Sequence, residues 1–232
     1  MLPRVLEPEV MDTEAEAREY DAMDFTEVNR AFVREFSVAW NARGPVLDVC
    51  AGPARIPIAL CQLCAERDPH QRGPSAFAAL QITAVDLAEH MLTLARQNVE
   101  AAGLADCIEV ERADAKHLPF PAHHFSAVIC NGSIHHIPRP VVCFSEFHRV
   151  CAPGGTIFVR DLLRPAGEAA LEAIMKEHAA GANTQQRAMF AASLRASLTL
   201  DEVRELVGRL SYPPHTVQQT SDRHWTWSAT RS

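Results

Sequence analysis

A short apolar run from Pro45 to Cys50 leads into Asp48-Val-Cys-Ala-Gly52-Pro-Ala-Arg55 and then into a stretch of helical period. Strand, small-residue turn and helix N-terminus in that order let a ligand approach the backbone closely at the carboxyl end of a sheet. The next apolar run, Gln81 to Asp86, ends on a carboxylate, which can accept both hydroxyls of a ribose. A dinucleotide site uses the same logic, but the glycine string here is not GxGxxG, because Cys50 and Ala54 occupy two of the small positions. Taken alone, residues 48–55 also read as a tight turn with no ligand. Cys61-Gln-Leu-Cys64 has CxxC spacing without a second pair, inside a helical stretch, so neither zinc nor redox use is expected. His123-His124 and His135-His136 are neighbours in sequence rather than i, i+4 partners on a helix, and no carboxylate motif accompanies them, so no metal is expected there either.

The elements that must position these residues alternate between short Val/Ile-rich runs and longer helical segments, the pattern of a parallel sheet wrapped by helices. The expected strands are Pro45 to Cys50, Gln81 to Asp86, Ile108 to Arg112, Ser126 to Asn131 and Thr156 to Arg160. Between the second and third, Asp86 and Glu89 have capping-box spacing, Met91, Ala95, Val99 and Ala102 share a face, and Gly103 stops the helix. Pro140 to Cys151 reads as a helix closed by Pro153-Gly154-Gly155. Asp24 to Trp40 reads as an earlier helix covering one end of the sheet, and residues 167–210 as a helical region whose last helix starts at Thr199 with Glu202 three residues on. Two alternating runs, HTVQQT and HWTWSAT, suit an antiparallel pair at the sheet edge, with Trp225 and Trp227 on one core-facing side. Residues 66–80 read as a surface loop.

Composition narrows the class. The chain has 232 residues, 47% hydrophobic and 22% charged, enough for one fully formed core. A net charge of −7 argues against nucleic acid as a partner. Seven cysteines, mostly inside apolar runs, suit a reducing compartment. The N-terminus is acidic where a signal peptide needs a basic and then an apolar region, and no run approaches a membrane span, so a cytoplasmic location is expected.

In order, VLDVCAGPARIPIAL, ITAVDLAEHML, ERADAKHLPFPAHHFSAVICNGSIHHI and FHRVCAPGGTIFVRDLL resemble the class I S-adenosylmethionine-dependent methyltransferases, particularly the small-molecule branch that includes the ubiquinone and menaquinone C-methyltransferases. The resemblance covers roughly residues 45–163. It implies a doubly wound, Rossmann-like α/β sheet of seven strands, mostly parallel with a reversed last strand, with helices on both faces and S-adenosylmethionine bound across the carboxyl strand ends. It further implies that Asp48 and the backbone of Ala51 and Gly52 hold the methionine end, that Asp86 takes the ribose hydroxyls, and that Leu87 and Met91 pack on the adenine. Asp114 with Ala115 would meet the adenine edge, and Asn131 would offer its carbonyl to the cofactor's amino group.

Methyl transfer by in-line displacement needs mainly orientation and a partly dehydrated site. If the acceptor must lose a proton, the candidate bases are His135, His136 and Asp161, with His135 and Asp161 favoured; the plainer reading is that a histidine caps the crossover and Asp161 pairs with Arg160 or Arg164. The expected division is an N-terminal helical cap (1–44), a cofactor-binding core (45–163), and a segment 164–232 whose helices form a lid over the acceptor before the last two strands. The acceptor is expected to be a small molecule; the alternatives are an RNA or protein methyltransferase, which would need a basic stripe that the sequence does not show, or an S-adenosylmethionine-binding protein without catalysis.

Overall fold

The computed structural model describes residues 2–10, 12–40, 44–67 and 80–232. The expected surface loop at 66–80 lies almost wholly outside the described residues. Among the described residues seven strands form one sheet: β1 (Val46–Val49), β2 (Ile82–Asp86), β3 (Ile108–Arg112), β4 (Phe125–Asn131), β5 (Cys151–Leu162), β6 (Val217–Gln219) and β7 (His224–Thr230). Their spatial order is β3-β2-β1-β4-β5-β7-β6, with every pairing from β3 to β5 parallel and β7 antiparallel to both of its neighbours. The order reverses between β1 and β4, and an open parallel sheet leaves its ligand crevice at such a point, outside the carboxyl strand ends.

The helices are α1 (Glu14–Asp21), α2 (Thr26–Ala39), α3 (Arg55–Arg67), α4 (Glu89–Ala101), α5 (Pro140–Val150), α6 (Glu168–His178), α7 (Thr184–Ala196) and α8 (Leu200–Gly208). The Val/Ile runs form strands because both faces of the sheet are covered and side chains alternate between them. Leu47, Val49, Val128, Cys130, Ile157 and Val159 pack with Phe144 and Phe147 of α5 and Val203 and Val207 of α8. Their alternates Val46, Ala127, Ile129 and Phe158 pack with α2, α3 and α4 through Phe32, Phe36, Leu60 and Ala95. Trp225 and Trp227 join the first cluster from one face of β7, as their spacing predicts.

Local signals set several boundaries. Thr199 and Glu202 form a complete capping box at α8. Gly103 ends α4 with φ +69°, and the Leu104 N–H donates to the Val99 carbonyl. The expected box at Asp86 and Glu89 does not form. α4 begins at Glu89 after an N-cap at Ala88, and the Asp86 carboxylate instead accepts the Ala88 N–H at 2.9 Å. β6 is shorter than the HTVQQT run, because Pro214–Thr216 make one turn of 3-10 helix. Gly155 is required for packing: a Cβ there would sit 2.8 Å from the carbonyls of Ala152 and Ser126.

Candidate active site

A cleft of about 1050 Å³, counting its open mouth, lies at the carboxyl ends of β1 to β4. Asp48, Ala51, Gly52, Asp86, Leu87, Met91, Asp114, Ala115 and Asn131 all line it. Nine positions spread over 84 residues of chain thus meet in one cavity, because each follows or ends a strand on the same side of the switch point.

The β1–α3 turn keeps a left-handed backbone at all three of its small positions: Cys50 at φ +57°, Gly52 at +52° and Ala54 at +60°. Cys50 and Ala54 therefore hold a conformation usually left to glycine, at an expected cost of about 1–2 kcal/mol each. The turn is fixed from β2, where the second Asp86 oxygen accepts the Gly52 N–H at 2.8 Å. Asp86 thus braces the loop with one oxygen and the start of α4 with the other, and burial raises its pKa. Asp48 is 1% exposed, and its Oδ2 is buried with no hydrogen-bond partner. Burial, then the nearby Asp86 charge, pushes its carboxyl well above the usual range. An unpartnered buried carboxylate in a cleft is a receptor for a cation or a donor group.

The front of the cleft is formed by the N-terminal segment, which the sequence suggested as a helical cap but did not place at the cleft. Glu9, Val10, Tyr20, Phe25 and Asn29 line it. Arg4 donates to the carbonyls of Ala196 (2.6 Å), His135 (3.2 Å) and Ile137 (3.0 Å), and the Val5 N–H donates to the Arg195 carbonyl. Further along, Glu9 pairs with Lys116, and Asp12 lies 3.1 Å from His90 Nδ1. α1 starts in a capping box at Thr13 and ends beside Asp21, which pairs with Arg55 at 2.7 Å. This holds Tyr20 next to Gly52, and burial pushes its phenol up to about 12.

The segment expected as a lid, residues 167–210, contributes nothing to the cleft lining. Leu171, Ile174, Met175 and Leu194 instead pack with Leu2, so α6 and α7 serve as the platform on which the N-terminal segment is anchored.

His135 and Asp161, the favoured candidate bases, are also off the cleft wall. His135 is 4% exposed; its Nδ1 lies 2.7 Å from Asp161 Oδ1, and its backbone N–H donates to Asp161 Oδ2 at 2.6 Å. Burial disfavours both charges, but the pairing outweighs it: His135 is raised and Asp161 lowered, so the couple is an ion pair. The 3-10 turn Ile134–His136 causes the displacement, because it turns His135 back toward β5 and puts its neighbour His136 on the wall. Burial, then the His135 charge, lowers the His136 pKa to about 4, so it is neutral at physiological pH. The suggested Asp161 pairings with arginine do not form: Arg160 pairs with Glu35 and Arg164 with Glu202.

No disulfide joins the cysteines, and Cys61 is a buried thiol pushed up to about 12 by burial. Among the described residues no helix is long and apolar enough to cross a membrane.

The strand order, the reversed β7 and a cleft with an acidic residue at the ends of β1 and β2 define the class I S-adenosylmethionine-dependent methyltransferase scaffold. Comparison with known proteins agrees. Residues 71–159 match the family described as "Methyltransferase domain". The chain is 27% identical over 120 residues to a demethylmenaquinone methyltransferase of Desulfitobacterium hafniense (strain Y51), covering 52% of this chain and 43% of that protein. It is 35% identical over 78 residues to a phosphatidylethanolamine N-methyltransferase of Cereibacter sphaeroides, covering 34% and 38%. Each match thus spans less than half of the relative's length. A crystal structure of a SAM dependent methyltransferase from Aquifex aeolicus superposes with a TM-score of 0.65 at 14% identity, over 95% of this chain and 99% of that one. The chain thus resembles the class I S-adenosylmethionine-dependent methyltransferases in its ordered motifs and shares their fold.

Proposed function

We propose that this chain transfers a methyl group from S-adenosylmethionine to a small-molecule acceptor that enters the cleft beside His136. The observation that carries the reading is the unpartnered Oδ2 of buried Asp48 in a cleft whose β1–α3 turn holds a left-handed backbone at three alternate positions, Cys50, Gly52 and Ala54. That donor set fits the cofactor: a carboxylate for its cationic methionine end, Asp86 for its ribose, an apolar patch from Leu87 and Met91 for its base, and Asp114 at the base edge. When bound, the cofactor supplies an electrophilic methyl on a sulfonium.

The chain's own contribution is orientation and exclusion of water. Tyr20 and Phe25, with ring centroids 5.3 Å apart, wall the side facing the β1 turn. Asn131 presents polar atoms where β4 ends. Neutral His136 can accept a proton from, or hydrogen-bond to, an acceptor at the wall, and the ion-paired His135 and Asp161 hold the turn that carries it. Residues 1–44 act as the cover, 45–163 as the cofactor core, and 164–232 as anchor and sheet edge. The relatives argue for a small acceptor and name two kinds, a quinone and an aminophospholipid. The thiol-rich, disulfide-free chain suits the cytoplasm, and its net charge of −7 disfavours nucleic acid.

The test is incubation of the purified chain with methyl-labelled cofactor and a cell metabolite extract. A labelled small molecule is expected; cofactor binding by calorimetry with no labelled product from any extract would favour the alternative of a cofactor-binding protein without transfer.

A further inference from the structure

Nothing in the local sequence gives the pair His135-His136 a carboxylate, but the fold brings one from the other end of the chain. Glu7 Oε1 lies 3.4 Å from His135 Nε2 and 3.4 Å from His136 Nδ1. All three ligand atoms lie within 4.8 Å of one another, and Oε1 is buried without a hydrogen-bond partner. Contacts of 3.4 Å are long for N–H···O hydrogen bonds. They match the separation, about 3.4 Å, of two donors that each bind a tetrahedral zinc ion at about 2.1 Å.

The surroundings also fit. Asp161 takes His135 Nδ1 at 2.7 Å, which leaves Nε2 aimed at Glu7, the carboxylate–histidine arrangement that orients metal ligands. Arg4, a cation close enough to influence His135, is committed to three backbone carbonyls. The Pro8 carbonyl lies 3.2 Å from His136 Nδ1 and competes for that atom only when it carries a proton.

We propose that Glu7, His135 and His136 form a three-ligand site for a divalent transition-metal ion of the zinc type at the rim of the cleft. Two imidazole nitrogens and one carboxylate oxygen suit zinc or cobalt, and three protein ligands leave a fourth position for water or an acceptor oxygen. Metal entry releases the Nε2 proton of His135 to solvent. The inference rests on the ligand set and not on the methyl-transfer reading. Glu177, His178 and Asp222 also approach one another, but two of the three are exposed and the Arg223 guanidinium already sits 2.8 Å from His178 Nε2.

The test is titration of the full chain, stripped with a chelator, with Zn²⁺ and with Co²⁺ in the absence of cofactor. One equivalent is expected to bind per chain, and the Co²⁺ form should show ligand-field bands of a low-coordinate nitrogen/oxygen site without thiolate charge transfer. Glu7→Gln and His136→Ala should each weaken Zn²⁺ affinity about tenfold or more, with unchanged circular dichroism of the metal-free protein showing that the fold survives. His178→Ala and Cys61→Ser should bind as the parent does. Absence of stoichiometric uptake overturns the proposal, as does parent-like binding by Glu7→Gln, or loss on His178→Ala or Cys61→Ser. Because the readout is metal uptake, its failure leaves the methyl-transfer reading untouched.

Discussion

Asp161 gives both carboxylate oxygens to one residue: Oδ1 lies 2.7 Å from His135 Nδ1 and Oδ2 accepts the His135 backbone N–H at 2.6 Å. The end of β5 thereby clamps the turn that follows β4, and the clamp is dry. Asp161 is 1% exposed, and its Oδ1 also accepts the Leu162 N–H at 2.7 Å. With three hydrogen bonds from the protein and almost no exposure, this aspartate holds the rim in place, while His136 stands on the cleft wall.

Asp161→Asn should therefore act first on stability. The amide places an N–H₂ where an N–H already points and removes the closer of His135's two counter-charges, so a loss of about 3 kcal/mol is expected, in the range for breaking a buried pair. Urea denaturation measures it. A change below about 1 kcal/mol would show that the clamp does not hold the turn.

Asp48→Asn should act in the opposite direction. The carboxylate is buried, unpartnered and repelled by Asp86, so its folded-state pKa stands above its unfolded value. Asp48 thus costs the ligand-free chain stability at neutral pH, and the penalty fades as pH falls through the folded pKa toward the unfolded one. The variant should be about 1 kcal/mol or more stabler than the parent at pH 7, with the gap narrowing on acidification, while its affinity for S-adenosylmethionine drops at least about tenfold. Thermal melts across pH and calorimetry read the two effects. A variant that loses stability at pH 7 would show that the carboxylate has a partner inside the protein.

The sheet was legible because burial on both faces imposes Val/Ile runs, and the Thr199–Glu202 box was legible because capping is a local interaction. Asp86 had the right spacing for a cap but belongs to β2, so its oxygens go to Gly52 and Ala88 instead. That nine strand-end positions would meet in one cleft was legible through the ordered motifs. The cover was not: Arg4, Glu7, Glu9 and Asp12 act singly, each on a partner far along the chain, and such contacts have no period or spacing. His135 and His136 are equivalent in sequence, and only the handedness of one 3-10 turn decides which of them faces the cleft.

Arg4→Ala should release the cover. It removes three charge-assisted hydrogen bonds to carbonyls on α7 and on the His135 turn, at an expected cost of about 2–3 kcal/mol. Amide exchange should accelerate at Val5, whose N–H donates to Arg195, and at His136 and Ile137 in the turn. Sheet amides such as Ile129 should keep their parent rates. Acceleration spread evenly over the sheet would mean that Arg4 supports the whole fold and not the cover alone.

Cys50 tests whether the β1–α3 turn needs glycine. Its backbone is already left-handed at φ +57°, braced by the Asp86 bond to Gly52, while its side chain packs against the α5 core. Cys50→Gly relieves about 1 kcal/mol of backbone strain but loses a similar amount in thiol burial and in unfolded-chain entropy. Stability should therefore move by less than about 1 kcal/mol, with cofactor affinity within about threefold of the parent. Cys50→Val puts a β-branched side chain at the same φ and should cost about 2 kcal/mol or more, weakening cofactor binding as the turn shifts. Denaturant titration and calorimetry of both variants decide the matter. Equal losses in the two would mean that the cysteine side chain, and not the backbone it sits on, sets the shape of the turn.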